Sequence, residues 1–165
     1  MEEELTQTHE QQKYLSFKVG EELYGTPVQV VREIIRHSKI TSVPDSPEVV
    51  KGVINIRGKI VPVISLRKKF SLEDSDFNQD TCFIIIDVED VQVGIIVDQV
   101  CDVKEFSDDQ VELAGKMNTV HATDYLIGIG KTESQPVIMI DLAKALSLEY
   151  FDQIIQNTPL EARSA

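Results

Sequence analysis

Three histidines, two cysteines and a dense group of carboxylates are the residues here whose types suit metal binding or acid–base catalysis. Their spacing argues against both. His9, His37 and His121 stand far apart, and none has a second His or Cys at metal-ligand spacing. Asp98, Asp102, Asp108 and Asp109 lack the glycine-bearing loop that a calcium site needs, so they read as a solvated strand end. Gly128-Ile129-Gly130-Lys131 lies between strand-like runs, where no helix N-terminus follows to hold a phosphate. Ser16, Ser38, Ser42, Ser46 and Ser65 have no nucleophile-elbow motif around them. The expectation is a binding module with no catalytic, cofactor or metal residues, whose surface is its function.

The surface residues that stand out are two cations in the stretch KGVINIRGKIVPVISLRKKF, Lys51–Phe70. Val53, Ile54 and Ile56 lead to Arg57-Gly58-Lys59, and Ile60, Val61, Val63 and Ile64 lead away, which predicts a hairpin. Lys59 reads as a solvated turn residue. Arg57, on a rigid turn, is suited to offer its fork to a partner's carboxylate or carbonyl. Ser65 is placed to cap a short helix running to Phe70, with Arg67, Lys68 and Lys69 behind it. Pro62 cannot donate to a ladder, so its strand is expected at an edge or with its nitrogen turned away.

Composition sets wide bounds on these elements. With 165 residues, 42% of them apolar, the chain can bury a core as one domain or as two small lobes. Acidic residues outnumber basic ones 28 to 16, a formal charge of −12, which disfavours nucleic acid and permits a basic partner. Cys82 and Cys101 lie in or beside apolar runs and are expected reduced. No secretory signal and no run long enough for a bilayer are seen, so the expectation is a cytoplasmic protein without membrane insertion.

In chain order, the Glu- and Gln-rich residues 1–12 read as a disordered arm. Tyr14–Tyr24 forms a hairpin around Gly20-Glu21-Glu22. Val28–Ile35 fits neither period cleanly and reads as a helical turn passing into a strand. Ser71–Asp80 is an acidic linker, Cys82–Val97 a hairpin around Glu89-Asp90, and Ser107-Asp108-Asp109 a helix start. Leu146–Gln156 has near-helical apolar spacing, and residues 149–165 are expected as a C-terminal helix and frayed tail.

A repeat runs beneath this order. Tyr14–Ile35 reads onto Phe83–Lys104 without a gap, setting Gly25 on Gly94 and Val31 on Val100. Lys51–Phe70 reads onto Ile127–Leu146, setting Gly52 on Gly128 and Ser65 on Asp141. One unit is used twice, which predicts a mostly antiparallel β architecture in two small lobes, barrels rather than open sheets. The lobes are expected at about 13–80 and 81–148, with segments free to exchange between them.

KGVINIRGKIVPVISLR closely resembles the signature hairpin of the CheW family, adaptors that couple chemoreceptors to the histidine kinase CheA. YLSFKVGEELYG (14–25), VREII (31–35), ITSVP (40–44), VGIIVDQVCDV (93–103) and Leu126–Lys131 with Asp141-Leu142 extend the resemblance across Lys13 to about Leu148. It implies two SH3-like five-stranded β-barrels packed together, with short helices, a C-terminal helix and no catalysis. It implies as partners the regulatory domain of CheA and the cytoplasmic tip of a methyl-accepting chemoreceptor, with the free protein monomeric. By position, Val31, Glu33, Lys51, Gly52, Asn55 and Arg57 match kinase- and receptor-contact positions, and Cys82, Val100 and Val103 match the receptor groove.

Gly52 suits close approach of a partner backbone. Val100 and Val103 read equally well as an apolar anchor for a helix and as plain barrel core. Glu33 and Arg57 are also placed to pair with each other. Ser65 stands where the family usually has Asp, and Glu89-Asp90 lacks the usual turn glycine. The ending at Ala165 favours a free-standing adaptor. Competing readings are a CheW-like adaptor in another kinase pathway, such as pilus motility, and a small β-barrel ligand carrier or hydrolase.

Overall fold

In the computed structural model, residues 12–114 and 125–146 are described; the expected N-terminal arm, His9, His121 and the C-terminal helix lie outside them. The local elements follow from turn chemistry. β1 (Gln12–Val19) and β2 (Glu22–Pro27) turn at Gly20, whose φ of +63° suits a residue without Cβ. Val28–Val30 is one 3₁₀ turn and leads directly into β3 (Val31–Arg36), so the mixed periodicity there was two elements in succession. β4 (Val50–Ile56) and β5 (Lys59–Ser65) join through Arg57 and Gly58, both at positive φ as a twist-matched two-residue hairpin requires. Ser65 then caps α1 (Leu66–Lys69), its hydroxyl accepting from the Lys68 N–H. At the matching point of the repeat, Asp141 accepts from the Lys144 N–H.

β6 (Cys82–Val88) and β7 (Val91–Val97) turn at Glu89 and Asp90, at φ of +44° and +71° without glycine. β8 (Gln99–Phe106) follows, then a 3₁₀ turn at Asp108–Gln110 behind a Ser107 capping box, β9 (Val111–Leu113), β10 (Leu126–Gly130) and β11 (Val137–Ile140).

The strands form two sheets, and each draws on both repeat units. One is ordered β8-β1-β2-β11-β10-β9 and the other β3-β6-β7-β5-β4. The first hairpin of each unit has crossed into the sheet completed by the other unit. Registers repeat with the sequence: Val63 faces Gly94 in the parallel β5–β7 pair, and Met139 faces Gly25 in β11–β2. Likewise Val31 faces Ile86 and Val100 faces Phe17. Pro62 is accommodated because the β5–β7 register begins only at Val63, so no β7 residue is paired opposite its missing N–H.

Burial follows the strand period. Along β6, Phe83 and Ile85 enter a core inside the five-stranded sheet, whereas Ile84, Ile86 and Val88 enter a core shared with the other sheet. In the six-stranded sheet Val137 and Met139 point inward beside Tyr14 and Phe106, while Ile140 joins the shared core. Both sheets curl. Ile35 of edge strand β3 and Ile54 of the opposite edge strand β4 pack in one interior cluster, and Phe106 of β8 lies over Gly130 of β10. The two lobes are therefore mainly β, as expected; one has five strands and the other six, because short β9 adds to its edge.

Two matched glycines mark where a loop closes on a strand. A Cβ on Gly52 would lie 2.1 Å from the Thr41 carbonyl oxygen, and one on Gly128 would lie 2.3 Å from that of Glu112. A Cβ on Gly94 meets the Ile85 and Val63 side chains at 3.4 and 3.5 Å and the Pro62 carbonyl oxygen at 3.7 Å, all ordinary contact distances. Gly52→Ala is expected to lower stability by about 2–4 kcal/mol, combining backbone clash with a φ of +143°, and Gly94→Ala by under about 1 kcal/mol. Urea denaturation of the two variants checks the difference, and equal losses would contradict the close approach at Thr41.

Candidate functional site

The β4–β5 hairpin presents its tip as a braced point. Asn55 Oδ1 accepts from the Gly58 N–H at 2.9 Å, tying the strand to its own turn. Arg57 spans from this tip to β3, both terminal nitrogens donating to the Glu33 carboxylate. The Glu33 side chain is 27% exposed and that of Arg57 is 71%. This contact holds the guanidinium pKa up, through the hydrogen bond first and the charge second. In that exposed setting the pair adds little stability; its effect is to fix where the fork points. Because β3 and β4 are the two edges of their sheet, the pair also bridges the sheet's open sides.

Lys51 does not join that tip. Its ammonium pairs with Asp74 of the linker, whose other oxygen accepts from Ser65 Oγ at 2.7 Å. Burial acts to raise the Asp74 carboxyl, but hydrogen bonds from Lys51 and Ser65 outweigh it and hold the group below its ordinary 3.8. Gly52 is buried, and the backbone approaching it is the chain's own Thr41, which also bridges to Val53 with N···O distances of 2.8 and 2.9 Å. The loop after β3 thus takes the space that the missing Gly52 side chain leaves.

The apolar candidates separate. Cys82, Val100 and Val31 are half-buried against the shared core, while Val103 is 53% exposed on edge strand β8. Val103 and Ile34, 42% exposed on edge strand β3, occupy matched positions of the repeat. Both cysteines are free, and burial pushes the thiol of the otherwise exposed Cys101 up.

Two readings of the charged residues need correction. Asp98 is not a solvated strand end: its carboxylate takes the Arg67 fork at 2.9 and 2.7 Å and also accepts the Gly20 N–H at 2.8 Å. Asp102 accepts from Ser16 Oγ at 2.6 Å, where the β1–β8 register shifts and the serine is fully buried. Arg67, read as one of three helix-end cations, also donates to the Glu73 carbonyl at 3.1 Å. The hydrogen bond to Asp98 holds its pKa up. No spacing rule joins Arg67 to Asp98. The signal lay in the repeat, which aligns them with Ala143 and Gln29, so the pair is a departure from the shared pattern.

Among the described residues no group of three or more His, Cys, Asp or Glu is arranged to hold a metal, and no helix is long and apolar enough to cross a membrane.

The family model described as the CheW-like domain matches residues 13–149. The chain is 36% identical over 138 residues to the chemotaxis protein CheW of Klebsiella aerogenes, covering 84% of this chain and 83% of that one. It is 34% identical over 139 residues to the chemotaxis protein CheW of Bacillus subtilis, covering 84% and 88%. The crystal structure of the scaffolding protein TtCheW from Thermoanaerobacter tengcongensis superposes with a TM-score of 0.73 at 34% identity, over 82% of this chain and 92% of that one.

Because the Asp74 carboxyl is lowered, the stability it contributes is complete above about pH 4 and is lost as pH falls through its folded value. Asp74→Asn is expected to lower the urea midpoint at neutral pH and to flatten its fall between about pH 5 and pH 2. An unchanged acid slope would show that the Lys51–Asp74–Ser65 contacts do not persist in solution.

Proposed function

The chain belongs to the CheW-like domain family, and on that premise we propose a non-enzymatic adaptor of bacterial chemotaxis, joining chemoreceptors to the histidine kinase CheA. Residues 13–148 form the adaptor domain, and the protein works in the cytoplasm as a monomer before it assembles. The observation that carries the reading is the braced tip: a rigid two-residue turn holding an exposed arginine fork in one place through Glu33. A fork ordered before contact loses less entropy on docking, which suits a surface whose task is recognition.

In this reading Arg57, Glu33, Asn55 and Val31 form the kinase-facing surface, with Lys51 at its flank. Gly52 serves it indirectly, by seating the Thr41 loop. Val103, with Val100 and Cys82 behind it, forms the apolar strip on which a receptor's helical tip rests. Such contacts pass on a receptor's state by favouring one conformation of the partners, and need no reaction in the adaptor itself.

Titration of the chain against the regulatory domain of its cognate chemotaxis kinase tests the proposal. Micromolar or tighter binding is expected, about −8 kcal/mol or better. Arg57→Ala is expected to weaken it about tenfold or more while leaving the urea midpoint unchanged, because the arginine is exposed. Failure of the folded wild-type chain to bind overturns the chemotaxis assignment.

A further inference from the structure

The two units share their hairpins but differ in a polar contact at the junction between the sheets. On one side of the junction, Arg67 follows β5 in the five-stranded sheet, Asp98 is the single residue between β7 and β8, and Gly20 sits in the β1–β2 turn of the six-stranded sheet. The Asp98 carboxylate receives the Arg67 fork and the Gly20 N–H together, and the Asp98 N–H donates to the Lys18 carbonyl at 2.9 Å. One carboxylate thus ties an element of one lobe to a turn of the other, at the point where the chain passes between them. The Arg67 and Asp98 side chains are 26% and 25% exposed, shielded enough for the fork to hold its geometry.

The repeat sets Arg67 on Ala143, Asp98 on Gln29 and Gly20 on Glu89. Ala143 has no side-chain donor, and Gln29 carries an amide where Asp98 carries a carboxylate. A copy of the fork–carboxylate contact therefore cannot form at the matched edge. What the two edges do share is apolar: Phe70 stacks on Tyr24 at 4.9 Å, and its counterpart Leu146 packs on the shared core. Apolar contact is non-directional, whereas a bidentate arginine–carboxylate pair prescribes an orientation.

We infer that Arg67 and Asp98 are positioning residues that fix the angle between the two lobes, pinning the junction at one edge, while among the described residues the matched edge has no such fork. Rotation between lobes then has its pivot at Asp98, and the two edge strands, β3 on one lobe and β8 on the other, keep their relative orientation only while the fork is closed.

The test reads lobe orientation in the full chain with no partner present, so it stands apart from the docking proposal. Residual dipolar couplings are collected for the two sheets in the wild type, Arg67→Ala and Asp98→Asn. In the wild type one alignment tensor is expected to fit both sheets. In each variant the couplings within a sheet are expected to fit that sheet still, while the common tensor is lost. Asp98→Asn keeps the side chain's shape and an acceptor for Gly20, so it serves where Arg67→Ala does not fold. Retention of a common tensor overturns the inference, even if the variants melt at lower temperature, because a merely stabilising pair would lower the melting point without freeing the angle.

Discussion

The structure depends on one constraint: each curled sheet has two apolar faces and can bury only one inside itself. Ile84, Ile86, Ile95 and Val97 project from the five-stranded sheet, Leu15, Phe17 and Val19 from the six-stranded sheet, and all are buried in the core between the sheets. Fully burying one such side chain is worth about 1.5–3 kcal/mol relative to leaving it in water. A lobe alone would expose a continuous apolar sheet face, so the two lobes form a unit. Exchange of the first hairpin of each repeat adds backbone pairing to that dependence, since β1 and β2 complete a sheet with β8, β9, β10 and β11.

That arrangement decides which surfaces remain for partners. The inner strands are covered on both faces, so what is left is edges and turns: β3 with Ile34, β8 with Val103, and the β4–β5 tip with Arg57. Unpaired edges invite aggregation unless they are broken up. Here the outward side of β3 alternates Arg32, Ile34 and Arg36, and a register shift interrupts its ladder to β6; β8 carries a matching shift against β1. Edges guarded by charge and bulge, yet bearing one exposed aliphatic residue each, suit selective docking better than open-ended strand addition.

The polar contacts lie where the apolar packing leaves orientation undecided. Asp74 anchors the linker to Lys51 and Ser65, Asp98 anchors the passage between sheets to Arg67 and Gly20, and Ser16 fills the shift in β1. Each sets geometry at a junction, and none is deep enough in the core to replace hydrophobic burial as the source of stability.

By itself the sequence determined the strands, turns and caps, because these rest on contacts between residues close in the chain. The Arg57–Gly58 turn, the Val28–Ile35 helix-to-strand passage, and the matched caps at Ser65 and Asp141 were legible from residue type and spacing. The repeat added the two-lobe plan, since a duplicated pattern of turns implies a duplicated unit. Tertiary structure alone decided which hairpin completes which sheet, that Thr41 takes the space beside Gly52, and that Asp98 belongs to Arg67. Those outcomes join residues far apart in the chain, and a hydrophobic period records only that a face is buried, never what it is buried against.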